Sequence, residues 1–283
     1  MFHVEQEFKK DKLVYKAKDY IKKNRVFFIY KDSASGILWT DFSPNLSYEE
    51  NYDSIKYNPH TKQNNLFSRI YKISQNIMFY YKRLLLGREI IISKRALDFG
   101  SGDGVFFRLI SSPSFKIDAL DPFFRAHHIK EENFYSDLSQ VPENQYDMVF
   151  MWHSLEHVPV LESTINEVYK KIKDNGSLII AVPNHKSFDS KYYKDTWAAL
   201  DVPRHLWHFS TKSITELMLK YNFKLKRSFP LPLDAYYISY LSAKNKKSSL
   251  PIIEALMIGT LSNFIALFSR QFSSQTYVFR KNR

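Results

Sequence analysis

The sequence predicts an α/β protein, a mostly parallel sheet layered with helices, preceded by a separate N-terminal accessory segment. From Arg95 onward, short apolar runs alternate with stretches of helical period, the mark of parallel strands joined by crossover helices. A glycine-rich turn directly follows the first run, and an acidic residue closes the second. The residues before Arg95 lack this alternation.

Taken in order, residues 1–22 read as a charged leader of helical character. Val26 to Tyr30 and Ile37 to Thr40, separated by Ser33 to Gly36, read as strand, turn and strand. Pro44 and the polar residues as far as Asn65 mark a loop. Phe67, Ile70, Tyr71, Ile77, Met78, Tyr81 and Leu85 then recur at helical spacing and predict an amphipathic helix over 66–86. The predicted strands of the main part are 96–99, 117–120, 148–152 and 178–182, with helices over 161–172 and 213–221 and late strands at 224–229 and 276–279. The organisation expected is an accessory segment over 1–90, a short hairpin plus a helix, and a main domain over 91–283 ending in an apolar helix. That last run, 251–268, contains Glu254 and Asn263. A spanning helix would carry Glu254 into hydrocarbon at a cost of a few kcal/mol, so a helix packed on the body is expected.

Lys and Arg total 41 against 29 Asp and Glu, a formal charge of +12 that favours anionic partners, although the lysines are spread rather than clustered. The absence of cysteine excludes disulfides, thiolate zinc sites and cysteine nucleophiles. The N-terminal residues carry charges where a signal peptide needs an apolar core, and a cytoplasmic location is expected.

The sharpest motif is Ala96-Leu97-Asp98-Phe99-Gly100-Ser101-Gly102-Asp103-Gly104, a strand running into the amphipathic residues 105–110. Glycines at a strand-to-helix turn permit positive φ and let a ligand approach the backbone without a Cβ in the way. Asp121 ends the next strand, where a carboxylate is placed to accept hydrogen bonds from both ribose hydroxyls. Val105 stands where the dinucleotide fingerprint needs its third glycine, so a nucleoside without a pyrophosphate suits the loop better.

This stretch resembles the first motif of class I S-adenosyl-L-methionine (SAM)-dependent methyltransferases. Tyr146-Asp147-Met148-Val149-Phe150-Met151-Trp152-His153-Ser154-Leu155-Glu156-His157-Val158-Pro159 is similar to the fourth-strand motif of the type 11 group that includes the quinone-biosynthesis methyltransferases, and residues 176–184 to their fifth strand. Trp197 and Asp201-Val202-Pro203-Arg204-His205-Leu206-Trp207-His208-Phe209-Ser210 resemble a block of the branch labelled methyltransferase type 23, which has bacterial members. The resemblance covers about residues 95–223. It implies a three-layer Rossmann-like fold on a mostly parallel seven-stranded sheet, with SAM as cofactor and S-adenosyl-L-homocysteine as its product.

Carried over residue by residue, it implies that Asp98, Gly100, Ser101 and Gly102 surround the amino acid part of SAM and that Asp121 holds the ribose. Asp137 and Leu138 fall at the adenine, and Trp152 and His153 where the fourth strand meets the cofactor. His153 and His157 are the catalytic candidates. His157 stands open between a loop histidine bonded to backbone and a general base, for which an ordinary pKa near 6.5 suits proton removal. Trp197, Arg204, His205 and His208 are candidates for substrate contact, with locking of their own loop the favoured role for the two histidines. His153-x-x-Glu156-His157 also spells an inverted zinc-protease motif, but that needs both histidines on one helix face and His153 ends a strand, so no metal is expected.

The function expected is methyl transfer to a small-molecule or lipid-like acceptor. Two alternatives stand beside it: a nucleic-acid methyltransferase or binder using the basic surface, and a membrane-associated scaffold without catalysis that contacts the bilayer peripherally through 251–268.

Overall fold

The structure, a computed structural model, describes residues 8–21, 25–41, 77–78, 80–102, 104–123, 129–130 and 133–282. The expected loop over 44–65 and most of the helix expected over 66–86 lie outside them, as do residues 1–7 of the leader.

In chain order the first strands are β1 (Lys12–Lys18), β2 (Val26–Lys31) and β3 (Leu38–Thr40). β1 corrects the helical reading of the leader. Its lysines at 12, 16 and 18 stay exposed while Ala17 is buried, the charged pattern of an edge strand. Residues 80–85 are helical, and after a turn at Leu86 the chain continues as α1 (Gly87–Ile92).

The main part then runs β4 (Arg95–Phe99), α2 (Val105–Ile110), β5 (Lys116–Leu120), β6 (Phe134–Tyr135), β7 (Tyr146–Trp152), α3 (Leu161–Lys171) and β8 (Ile172–Pro183). It continues with α4 (Phe188–Tyr193), β9 (Trp207–His208), α5 (Thr211–Lys220), β10 (Phe223–Pro230), α6 (Pro232–Asn245), α7 (Pro251–Ser269) and β11 (Ser274–Lys281).

Seven strands form one sheet in the order β10-β11-β8-β7-β4-β5-β6. β6, β5, β4, β7 and β8 pair in parallel, and β11 runs antiparallel to both β8 and β10. Alternation along each strand divides the apolar side chains between the two faces. Leu97, Val149, Met151 and Ile180 pack under α3 and α5, which supply Leu161, Ile165, Val168, Ile214 and Met218. Ala96, Met148, Phe150 and Ile179 pack on the other face with Phe106, Phe107 and Ile110 of α2. This is the three-layer arrangement expected.

The second sheet has the order β1-β2-β3-β9, all antiparallel. Its fourth strand comes from the main part of the chain, with Trp39 opposite Trp207 and Leu38 opposite His208.

α7 packs on α6 through a face of small residues that includes Ala255, Gly259, Ser262 and Ala266. The opposite face is apolar and open to solvent, so the expected packing on the body holds for one side of this helix only. A Cβ at Gly259 would stand 2.7 Å from Tyr236 Cδ1 and 3.1 Å from its Cα. Gly259→Ala is therefore expected to push α6 and α7 apart and lower stability by about 1–3 kcal/mol, the usual cost of overpacking, as read from urea unfolding.

Candidate functional site

The strand order reverses at β4, whose two neighbours lead to opposite edges of the sheet. In open α/β sheets that reversal leaves a crevice beyond the carboxyl ends of the strands, and this is where ligands bind. Gly100, Gly102 and Gly104 all take left-handed backbone there, with φ of +76°, +52° and +66°. Gly104 serves as the N-terminal cap residue of α2. The carboxylate of Asp121 grips the turn: Oδ2 accepts the Gly102 N–H at 2.9 Å and Oδ1 the Phe123 N–H at 2.9 Å. Gly100 and Ser101 donate to Leu120 O at 2.7 and 3.2 Å.

The turn is tight on one side and open on the other. A Cβ on Gly100 would stand 2.7 Å from Ser154 Cβ, whereas one on Gly102 would meet nothing within 4 Å. Ser154 follows β7, so the glycine turn packs directly on the residues after that strand. Ser101 Oγ, Ser154 Oγ and Trp152 Nε1 are buried without a hydrogen-bond partner. Buried polar atoms are normally paired, so such atoms beside an open glycine suit a polar ligand. Asp98, 2% exposed, ends β4 behind them. These residues fit SAM as the sequence anticipates: a backbone turn a ligand can approach, an acid at the end of β5, and polar groups lacking partners. Asp103 lies outside the described residues. Asp137 is exposed and caps a turn, accepting from Ser139 N at 2.7 Å, and these bonds hold its carboxyl below the usual range. Leu138 is half-buried against the sheet.

A charge cluster not anticipated by the sequence stands beside the end of β7. Lys82 is buried, with Nζ 4.3 Å from the centre of the Trp152 ring. Burial lowers its pKa, and Asp234 and Asp98 oppose that shift. His153 has a positive φ of 51°, and its ring lies between two carboxylates, Nδ1 3.3 Å from Glu156 Oε1 and Nε2 3.4 Å from Asp234 Oδ2. Burial works to lower its pKa, but the two carboxylates outweigh it and raise the value to about 9. The imidazole is therefore a cation at neutral pH, an electrostatic element rather than a base. Lys82 breaks an apolar helical stripe and Asp234 follows Leu231-Pro232-Leu233 in an apolar stretch.

The candidates for substrate contact are engaged internally. Trp197 is 2% exposed and donates Nε1–H to Asp189 Oδ2 at 2.8 Å. Asp189 also accepts from Ser262 Oγ of α7 and Ser273 Oγ ahead of β11, each at 2.7 Å. The Arg204 guanidinium, 1% exposed, donates to Asp201 Oδ1 at 2.6 Å and Asp19 Oδ1 at 3.2 Å, joining the small sheet to this segment. His208 Nε2 lies 3.0 Å from Thr40 Oγ1. Thr40 spends its one hydroxyl proton on His205 O at 2.7 Å, so the imidazole must be the donor. His205 Nδ1 lies 2.8 Å from Ala199 O and His157 Nδ1 2.9 Å from Arg204 O. His157 thus has the backbone bond of a structural loop histidine, and burial, with His205 beside it, pushes its pKa down to about 4. Trp197 and Arg204 thus fasten the segment together through these contacts.

A family model described as a methyltransferase domain matches residues 68–227, more than half of the chain. No curated protein matches it. Among solved structures, the chain is similar to a Burkholderia thailandensis 1,6-didemethyltoxoflavin-N1-methyltransferase with bound 1,6-didemethyltoxoflavin and S-adenosylhomocysteine, at 12% identity and a TM-score of 0.52, covering 94% of this chain and 100% of that one. It is also similar to a SAM-dependent methyltransferase from Archaeoglobus fulgidus, at 17% identity and a TM-score of 0.48, covering 74% and 94%.

Three outcomes follow from these contacts. Gly100→Ala places a Cβ against Ser154 on left-handed backbone and is expected to weaken SAM binding by at least about tenfold, measured by calorimetry. Arg204→Met strands two buried carboxylates and is expected to cost about 3–5 kcal/mol in urea unfolding. His185, buried at the end of β8, is pushed down to about 3 by burial and by Lys186 nearby. As pH falls from about 6.5 towards 3 the unfolded chain takes up a proton that the folded one refuses, so stability declines over that window. His185→Gln is expected to make the decline shallower in melts recorded against pH.

Proposed function

The chain belongs to the methyltransferase domain family and is a SAM-dependent methyltransferase, and from that premise we propose that it methylates a small apolar or lipid-like acceptor, which it takes up at a membrane surface. The observation that carries the choice of acceptor is the outer face of α7. Ile253, Leu256, Met257, Phe264, Leu267 and Phe268 are between 52% and 78% exposed on one side of a single helix. Monomeric soluble proteins rarely leave so long an apolar stripe uncovered. Exposed Lys244 and Lys247 precede the helix and exposed Arg270 follows it, so cations bracket the apolar face. That pairing suits a helix lying in the plane of an anionic bilayer, with its small-residue face kept on α6.

On this reading Gly100, Ser101, Gly102 and Asp98 hold the amino acid part of SAM, Asp121 its ribose, Asp137 and Leu138 flank the adenine, and Trp152 with His153 closes the cofactor side of the crevice. The bound sulfonium supplies an electrophilic methyl group. The chain's own part is to align an O, N or C nucleophile with it and to exclude water. The carboxylates of Asp98 and Asp234 give the crevice a negative side suited to a cationic cofactor, with Lys82 and His153 offsetting part of it.

Asp121→Ala removes the acid that holds both turn and ribose and is expected to reduce SAM affinity by at least about tenfold, each charge-assisted hydrogen bond being worth about 1.5–3 kcal/mol. Calorimetry with SAM reads this directly. For the acceptor, the protein is expected to sediment with phosphatidylglycerol-containing vesicles and not with phosphatidylcholine alone. Leu256→Ser with Phe264→Ser is expected to abolish sedimentation while leaving SAM affinity intact. Labelled methyl from SAM should appear in the organic phase of a cell extract; label appearing only in RNA or protein would overturn the proposed acceptor.

A further inference from the structure

We propose that Glu156, His157 and His205 form a site for one divalent transition-metal cation, of the Zn²⁺ or Co²⁺ type, separate from the glycine turn. One donor atom from each of the three lies within 4.8 Å of the others. Zinc–ligand distances of about 2.0–2.2 Å at tetrahedral angles set ligand–ligand separations of about 3.3–3.6 Å, so side-chain rotations that draw the donors together by up to about an ångström close the cluster on an ion.

The two imidazoles have the outer-shell arrangement of metal ligands. His157 Nδ1 lies 2.9 Å from Arg204 O, and His205 Nδ1 lies 2.8 Å from Ala199 O. A carbonyl oxygen can only accept, so Nδ1 carries a proton in each ring, and Nε2 is the nitrogen that would ligate a cation in the neutral form. Ligating histidines are oriented in this way by a hydrogen bond from the other ring nitrogen. The rings meet edge to face, with centroids 4.6 Å apart.

Glu156 is the independent observation. It is 1% exposed, and neither carboxylate oxygen has a hydrogen-bond partner. His153 Nδ1 stands 3.3 Å from Oε1 as an ion-pair contact on one side of the carboxylate. A buried carboxylate in that state carries a desolvation cost that a bound cation offsets.

The scaffold is rigid. Glu156 and His157 sit on the single turn Leu155–His157 after β7, and His205 sits on the segment that covers it. Leu206 N donates to Glu156 O at 2.8 Å and Trp207 Nε1 to Val158 O at 2.7 Å, fixing one segment on the other. Two nitrogens and one oxygen select borderline cations over Mg²⁺ or Ca²⁺, and three protein ligands leave a coordination position for water or an acceptor oxygen. These ligands are not those of the H-x-x-E-H pattern, because His153 pairs with Asp234 on the far side of Glu156.

The test uses the full chain, stripped with a chelator and titrated with Co²⁺ and then Zn²⁺. One equivalent of Co²⁺ is expected, giving visible absorption that Zn²⁺ displaces, together with a melting temperature raised by Zn²⁺ in the absence of SAM. X-ray absorption of the zinc form should report two imidazole nitrogens and at least one oxygen, a readout that needs no variant. His205→Ala is expected to weaken the metal by at least about tenfold, the loss that even an outer-shell change incurs. Absence of stoichiometric Co²⁺ or Zn²⁺ uptake by folded wild type would overturn the assignment, as would a spectrum with fewer than two imidazoles or undiminished binding in a folded Glu156→Gln, His205→Ala variant. SAM affinity measured in parallel separates this result from the cofactor assignment.

Discussion

The carboxylate of Asp121 holds the left-handed turn after β4 to the end of β5, and the cofactor crevice depends on that grip. A chain passing from Gly100 to Gly104 with three positive φ values has little intrinsic preference for one path. The Gly102 N–H bonded to that carboxylate, with the Gly100 and Ser101 N–H groups bonded to Leu120 O, selects the path that leaves Gly102 open and sets Gly100 against Ser154. The reversal of strand order at β4 puts this turn over the one crevice the topology creates, and the residues ending β7 form its other wall. Local backbone chemistry and global topology agree at that point.

Charge organises the remainder. Arg204 joins Asp19 of the small sheet to Asp201, and Asp189 joins Trp197 to α7 and to the start of β11. Buried ions of this kind contribute less to net stability than to uniqueness, because each partner is costly to leave alone. They fix the segment 197–208 as a plate over the turn that carries Glu156 and His157. On the other side of Glu156, His153 is held cationic between two acids and Lys82 lies over Trp152. One buried carboxylate therefore stands between the imidazolium of His153 on one side and the rings of His157 and His205 on the other.

α7 shows how one helix serves two environments. Its small residues allow α6 to approach closely, and Tyr236 occupies the space that a side chain at position 259 would fill. Most of its large apolar residues lie on the far side, with Ile258 buried among the small ones. The helix is long and apolar enough to cross a membrane by composition, yet 28% of its most apolar window is buried against the protein. A helix fastened on one side and apolar on the other suits an interface better than a bilayer interior.

Much of the fold was legible in the chain. Apolar runs marked β4, β5, β7 and β8, because strands buried on both faces are apolar nearly throughout. The glycines and Asp121 marked the crevice, because few other residues tolerate that backbone. β1 was hidden by its lysines and β9 by its brevity, since both are strands only through pairing with distant partners. Asp19 and Lys82 could not be joined to Arg204 and Trp152 by any spacing, and whether Trp197 or Arg204 faced a ligand or the interior was equally out of reach. The sequence by itself determined the sheet, the turn and the chemistry the turn permits, since these rest on local backbone preference and periodic burial. Only the tertiary structure decided which ionisable side chains meet, and hence that His153 is held protonated between two carboxylates while burial lowers the pKa of His157, because protonation depends on neighbours brought together from far apart in the chain.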